Sequence, residues 1–192
     1  MSQPRSAPRL LGLSGSLRRA SYCTAILRTL GEGLGNRATL DIFDLKSVPL
    51  YNQDEEGELQ PESVKALKRA ITDCDGVLLI SPEFNHGMTG VLKNALDWAS
   101  RPTYASPFKC KPVLIMSASP AFTGGVRAQA HMFETLSAML ARVVVTPQVV
   151  IASVHDKIDD GRLVDDASLR FASEAIDDLL REIAGLQISR AA

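Results

Sequence analysis

Short apolar runs and amphipathic stretches take turns along the chain, and each pair reads as a strand followed by a helix. Residues 9–14 carry the first apolar run and predict strand one. Residues 21–34 place Tyr22, Ile26 and Leu30 on one helical face, and Gly35-Asn36 supplies a stop. Residues 38–43 alternate, with Leu40 and Ile42 facing away from Asp41, and predict strand two. Residues 44–57 form a polar loop. Pro61 then opens a second helix, along which Val64, Leu67, Ile71 and Cys74 recur at helical spacing. Gly76-Val77-Leu78-Leu79-Ile80 is an unbroken apolar run, the mark of a strand covered on both faces.

The second half repeats the scheme. A loop over residues 81–90 leads to helix three at 91–100, which Arg101-Pro102 ends. Residues 112–116 predict strand four, and 117–125 a loop rich in Gly, Ser and Pro. Helix four covers 126–140, with Phe133, Leu136 and Leu140 in phase. Residues 143–152 predict strand five, interrupted by Pro147, which a strand tolerates mainly at an edge or bulge. Helix five covers 166–186 on the stripe Leu169, Ala172, Ile176, Leu179 and Ile183, with a frayed end. Residues 1–8 read as a loose polar lead-in.

Five β-α repeats without a linker predict one domain over residues 1–192. The fold class is α/β: a doubly wound, five-stranded parallel sheet with helices on both faces and the flavodoxin-like order 2-1-3-4-5. Such a sheet binds ligands where the strand order reverses, at the loops after strands one and three.

Composition narrows the function. The chain is 45% hydrophobic and 22% charged, with a net charge of −1. The absence of a basic excess argues against nucleic acid as a partner, and the near-neutral balance against a strongly acidic electron carrier. The apolar runs are too short to span a bilayer, and the N-terminus lacks a secretory apolar region, so no membrane association is expected. Three cysteines (Cys23, Cys74, Cys110) without paired spacing suit a reducing cytoplasm better than a disulfide framework, and three scattered histidines give a metal site little support.

The loop after strand one reads Ser14-Gly15-Ser16-Leu17-Arg18-Arg19-Ala20-Ser21. It enters a helix N-terminus, where unpaired N–H groups and the helix dipole favour an anion. Gly15 would let backbone approach that anion, Ser16 and Ser21 add hydroxyls, and Arg18 or Arg19 adds charge. The same residues also fit an ordinary capped α/β turn. Neither the dinucleotide fingerprint nor the P-loop pattern is present.

The loop after strand three and its helix read Pro82-Glu83-Phe84-Asn85-His86-Gly87-Met88-Thr89-Gly90-Val91-Leu92-Lys93-Asn94-Ala95-Leu96-Asp97-Trp98. This resembles the P-E-[YF]-N-x-x-x-x-G-x-L-K-N-A-[IL]-D-W signature of the NAD(P)H-dependent FMN reductases, the flavodoxin-like quinone, azo-dye and chromate reductases. Gly15-Ser16-Leu17-Arg18 with Ser21 resembles their first-loop signature G-S-L-R-x-x-S-x-N. The likeness extends to Pro49-Leu50-Tyr51-Asn52, to Ser117-Ala118-Ser119-Pro120 and to Gly124-Gly125-Val126-Arg127-Ala128-Gln129, and covers about residues 9–150.

The resemblance implies bound FMN, with NADPH or NADH as co-substrate and hydride passing through flavin N5 to a small acceptor: a quinone, an azo compound, a metal oxyanion or free flavin. By matched position Ser16, Arg18 and Ser21 would hold the phosphate. Pro82, Glu83, Phe84 and Asn85 would line the isoalloxazine ring, and Ser117 with the Gly124-Gly125 turn would close its other side. Cys23 stands where the family has Asn. A thiol is a weak donor, so looser phosphate binding is expected, through the Cys23 N–H, with Thr24 in partial compensation. Backbone N–H groups near the ring would stabilise its reduced form without a catalytic side chain.

Several side chains keep two readings. Glu83 fits a general base or a structural pair, and His86 a ligand contact or an exposed loop residue. Asn94 and Asp97 fit loop anchors, Arg127 an ion pair or a subunit contact, and Trp98 packing or a subunit contact. Trp98, Phe108 and Phe122 look exposed near the ligand end, and the resemblance implies a homodimer or homotetramer. Tyr51 and Asn52 would reach a neighbouring subunit's site by resemblance alone. The arginines near the ligand loops predict a preference for NADPH. Competing readings are a flavodoxin-type one-electron carrier and a non-redox nucleotide-binding module on the same fold.

Overall fold

A computed structural model describes residues 7–191, so most of the polar lead-in expected over 1–8 lies outside the described residues. The strands β1 (Arg9–Ser14), β2 (Thr39–Phe43), β3 (Gly76–Ser81) and β4 (Pro112–Ala118) are joined by helices α1 (Tyr22–Gly33), α2 (Glu62–Asp73) and α3 (Gly90–Ala99). Helix α4 (Val126–Ala138) leads from β4 to β5 (Arg142–Val143) and β6 (Val149–Ile151), and α5 (Asp166–Ala191) closes the chain. The sheet is parallel in the order β2-β1-β3-β4-β5, with β6 also paired to β4. This is the flavodoxin-like order that the β-α repeat predicts.

Strict alternation divides the core. Leu10 of β1, with Leu78 and Ile80 of β3, faces Ile26, Leu27 and Leu30 of α1 and Ile176 and Leu179 of α5. Leu11 and Leu13, with Val77 and Leu79, face Leu67 and Ile71 of α2, Leu92 and Leu96 of α3, and Met132 and Leu136 of α4. Side chains on a strand point to opposite faces in turn, so an apolar run with no polar break requires helices on both sides.

Four expectations need correction. The fifth strand is two short strands, because Pro147 has no N–H to donate and the chain leaves the ladder between Val143 and Val149. Helix α4 stops at Ala138, and Leu140, with φ of 60°, lies beyond it. Phe133 and Leu140 are exposed, and the buried face of α4 is Ala128, Gln129, Met132 and Leu136. Trp98 and Phe108 are buried, and of the three aromatic residues expected at the surface only Phe122 is exposed. Helix α5 continues to Ala191, since no Gly or Pro follows Leu186 to stop it. Among the described residues no helix is long and apolar enough to cross a membrane.

Candidate functional site

Three loops meet at the C-terminal edge of the sheet because their strands are neighbours. Ser14 of β1 pairs with Ile80 of β3, and Ser81 of β3 pairs with Ser117 of β4. Residues 14–21, 82–89 and 119–125 therefore leave the sheet side by side.

The first loop is tied to the second through Gly15. Its N–H donates to the Ile80 carbonyl at 2.8 Å, and its own carbonyl accepts from the Thr89 hydroxyl at 2.6 Å. A Cβ on Gly15 would lie 2.7 Å from Ser81 Oγ and 3.0 Å from Thr89 Oγ1. Glycine is needed here because two loops approach each other. Thr89 also caps α3, accepting from the Leu92 N–H.

Beyond Gly15, Ser16 accepts weakly from the Arg18 N–H at 3.4 Å, and Ser21 caps α1 by accepting from Thr24 at 3.2 Å. The Thr24 hydroxyl donates to Ser14 Oγ at 3.0 Å. Arg18 is exposed. Its guanidinium donates to the Ala20 carbonyl at 2.6 Å and lies 5.0 Å from the Tyr22 ring centroid. The first turn of α1 carries no acidic side chain, so its dipole and the adjacent arginine favour an anion without opposition. Cys23 is different. Its thiol is buried in the core beneath α1, and that burial pushes its pKa up to about 12 despite the nearby Arg18 charge. Only its backbone N–H, in the first turn of α1, is available to a phosphate.

The second loop is a two-residue hairpin. Phe84 and Gly87 exchange both backbone hydrogen bonds at 3.0 Å, while Asn85 and His86 have φ of 49° and 66°. Positive φ at both central positions is the signature of a type I′ turn, usually filled by Asn-Gly. Phe84, Asn85 and His86 are exposed, whereas Pro82 and Glu83 are half-buried. A Cβ on Gly87 would lie 2.8 Å from His131 Nδ1 of α4, so the turn rests on that helix.

Glu83 joins the second loop to the third. Its carboxylate accepts from the Arg127 N–H at 3.0 Å and from the Arg127 guanidinium at 3.3 Å. Gly125 is the N-cap of α4 and has no side chain to cap with, so Glu83 does this from another loop. These contacts pair Glu83 with Arg127 and tie the second loop to the start of α4. Gly124 and Gly125 have φ of 62° and 85°, and a Cβ on Gly124 would lie 2.2 Å from Val150 Cγ1. Ser117 is fully buried and its Oγ accepts from Gln129 Nε2 at 2.9 Å, so its hydroxyl braces the third loop from below.

The helix behind the second loop anchors a fourth segment. Asn94 accepts from the Tyr51 N–H and donates to the Pro49 carbonyl, both at 2.8 Å, and Trp98 Nε1 donates to the same carbonyl at 2.9 Å. Asn94 and Trp98 stand one helical turn apart, so one face of α3 grips Pro49-Leu50-Tyr51. Tyr51 packs edge-on against Trp98 with ring centroids 5.0 Å apart, and its hydroxyl donates to Glu56. Asp97 pairs instead with Lys93 at 2.6 Å.

Sequence reasoning brought Ser16, Arg18 and Ser21 into one loop, and Pro82–Asn85 and Gly124 into its neighbours. It gave no role to Ser81, Thr89, Gln129 or His131. Thr89 carried a local signal as a Thr before a helix. The partners of the other three lie in other elements, and nothing in their own neighbourhoods announces them.

Comparison with known proteins agrees with this geometry. Residues 8–156 match the family model described as NADPH-dependent FMN reductase. An NAD(P)H-dependent FMN reductase of Pseudomonas aeruginosa is 39% identical over 159 residues, covering 82% of this chain and 85% of that protein. A quinone reductase of Escherichia coli K12 is 36% identical over 163 residues, covering 82% and 85%. Among solved structures, the flavoenzyme NAD(P)H:(acceptor) oxidoreductase FerB from Paracoccus denitrificans superposes with a TM-score of 0.81 at 28% identity, covering 93% of this chain and 98% of that one.

Proposed function

Because this chain belongs to the family of NADPH-dependent FMN reductases, we propose that it oxidises NAD(P)H and passes the electrons as hydride to a small acceptor of the quinone type. The observation that carries this reading is the bracing of three loops into one ligand-facing edge, through Gly15–Thr89 and Glu83–Arg127.

The residues present fit FMN. Ser16, Arg18, Ser21 and the Cys23 N–H surround a helix start free of acidic side chains, which suits a phosphate dianion. The exposed turn at Phe84–Gly87 and the left-handed Gly124-Gly125 turn offer backbone groups and an aromatic side chain to a flat ring. When bound there, FMN supplies the two-electron redox chemistry. The protein's part is orientation: Glu83 and Arg127 hold the ring-facing loops at a fixed separation, and Thr89 fixes the phosphate loop against them. No side chain of this edge is assigned a proton to move.

An open edge suits a planar acceptor, and quinone reductase is the name that several relatives carry. Azo compounds, metal oxyanions and free flavin have the same access. A homodimer or homotetramer in the cytoplasm is the assembly and compartment proposed. The test is steady-state consumption of NADPH by the FMN-loaded protein, with and without 1,4-benzoquinone. Turnover accelerated by the quinone supports the reading. A rate no higher than that of free FMN at the same concentration contradicts it.

A further inference from the structure

Two consecutive turns of α4 hold the two ends of the Phe84–Gly87 hairpin. The first turn takes Glu83, the residue before the hairpin, through the Arg127 N–H at 3.0 Å. His131 follows Arg127 by four residues and so shares its face of the helix. The His131 imidazole lies directly against Gly87, at the other end of the hairpin. A Cβ on Gly87 would come within 2.8 Å of its Nδ1, 3.6 Å of Cε1 and 3.8 Å of Cγ. Gly87 is not among the glycines at positive φ, so the imidazole, rather than the backbone conformation, requires glycine there. Between these two ends the backbone is strained. Asn85 and His86 both sit at positive φ, which non-glycine residues keep only where their surroundings over-determine it. Phe84, Asn85 and His86 are exposed, so their side chains bring little packing of their own. The two Phe84–Gly87 backbone bonds close the turn, and a short hairpin is marginal in water without a surface to rest on.

We infer that His131 is a positioning residue for the flavin. Its imidazole fixes the Gly87 end of the hairpin as the Arg127 N–H fixes the Glu83 end, and together they set how the hairpin meets the ring. The part that concerns the ring rests on the oxidoreductase reading above. The contact is one of shape, since three ring atoms face a backbone position that has no side chain. The same helix begins at the Gly124-Gly125 turn, with Gly125 as its N-cap. Helix α4 therefore carries the second and third loops as one body. Backbone on both sides of the ring is then ordered before FMN arrives, which lowers the cost of binding it.

The experiment compares the full chain with His131→Ala, His131→Phe, Gly87→Ala and the double variant Gly87→Ala/His131→Ala. Thermal melts check that each folds. Amide hydrogen exchange of the FMN-free protein reads the clamp at the Phe84 and Gly87 N–H groups, the two that close the hairpin. His131→Ala is expected to speed exchange at both by roughly tenfold and to leave the amides of β1 and β3 unchanged. It is also expected to raise the FMN Kd about tenfold in a fluorescence titration. His131→Phe keeps a ring against Gly87 and is expected to stay within about threefold of the wild type in both measurements. Gly87→Ala is expected to raise the FMN Kd about tenfold in the wild-type background. In the His131→Ala background its methyl enters vacated space, and the change is expected to be less than about twofold. An equal effect of Gly87→Ala in the two backgrounds overturns the inference. So does His131→Ala with wild-type exchange at Phe84 and Gly87, or with a wild-type FMN Kd. His131→Phe behaving like His131→Ala overturns it too, because the imidazole nitrogens rather than the bulk of the ring would then hold the hairpin. Turnover separates the two claims. A chain that gives these results but does not oxidise NADPH keeps the clamp and loses the oxidoreductase reading. One that oxidises NADPH, and whose His131→Ala variant exchanges and binds FMN like the wild type, keeps the reading and loses the clamp.

Discussion

The Glu83 carboxylate caps the first turn of α4 from a different loop, with one oxygen 3.0 Å from the Arg127 N–H and the other 3.3 Å from the Arg127 guanidinium. The glutamate side chain is 11% exposed and the arginine 52%. The two bonds therefore differ in weight. The capping bond is sheltered, and its loss costs about 1 kcal/mol. The guanidinium contact is half in water and contributes less than about 1 kcal/mol. Glu83→Ala is expected to lower stability by about 1 kcal/mol in urea unfolding and to weaken FMN binding in a fluorescence titration. Arg127→Ala is expected to leave stability nearly unchanged. Equal destabilisation by both substitutions would contradict this ranking.

The hairpin at Phe84–Gly87 holds two non-glycine residues at positive φ. Such positions disfavour side chains, more so for His86 than for Asn85. His86→Gly is expected to raise stability, by roughly 0.5–1 kcal/mol, since the native φ of 66° suits glycine. Thermal unfolding checks the sign. A lower melting temperature would show that the His86 side chain makes a contact outweighing the backbone gain.

A pH dependence resides in the cap of α5. Asp165 accepts from the Ser168 N–H at 2.8 Å, and hydrogen bonding from Ser168, with the charge of Lys157, holds its pKa below the ordinary carboxylate range. A depressed folded-state pKa means that the stabilisation is complete above the unfolded value, about 4, and fades as pH falls through the folded one. Asp165→Asn keeps an oxygen for the cap but cannot titrate. Its stability is expected to fall behind the wild type by up to about 1 kcal/mol at pH 7, and the gap to shrink as pH falls below about 4. A constant gap between the two proteins from pH 3 to 7 would contradict the assignment.

The three cysteines differ in access. Cys23 and Cys74 are buried with raised pKa values, both through desolvation, whereas Cys110 is exposed. N-ethylmaleimide at pH 7 is expected to label the native protein once, at Cys110, with the other two reacting only on unfolding. Mass spectrometry of the labelled peptides reads this directly. Prompt labelling of Cys23 in the native state would show that the start of α1 is more open than its packing indicates.

Much of this could be read from the chain, for physical reasons. Gly76 to Ile80 is apolar throughout and becomes a strand buried on both faces, as an unbroken apolar run does in a parallel sheet covered by helices. Ser21 and Thr89 announce helix starts because a side-chain cap is a local event. What the chain did not announce depends on distant partners. Trp98 looks like a surface aromatic until Pro49 arrives to accept its indole N–H. Cys23 sits beside a phosphate loop in sequence, yet its position on α1 turns the thiol into the core. Gly15 reads as room for a ligand, and the close approach of Ser81 and Thr89 gives a second reason for glycine there that lies far away in the chain. In each case the local pattern was right about the element, and tertiary packing decided what the side chain touches.

On the function proposed above, the three braced loops bind FMN and let NADPH reduce it. Its most direct test is the visible absorption spectrum of the FMN-loaded protein, recorded anaerobically before and after one equivalent of NADPH and again on admitting air. Flavin bands are expected that co-elute with the protein, bleach with NADPH and return in air. Flavin that elutes free of the protein, or bound flavin that NADPH leaves oxidised, would contradict it.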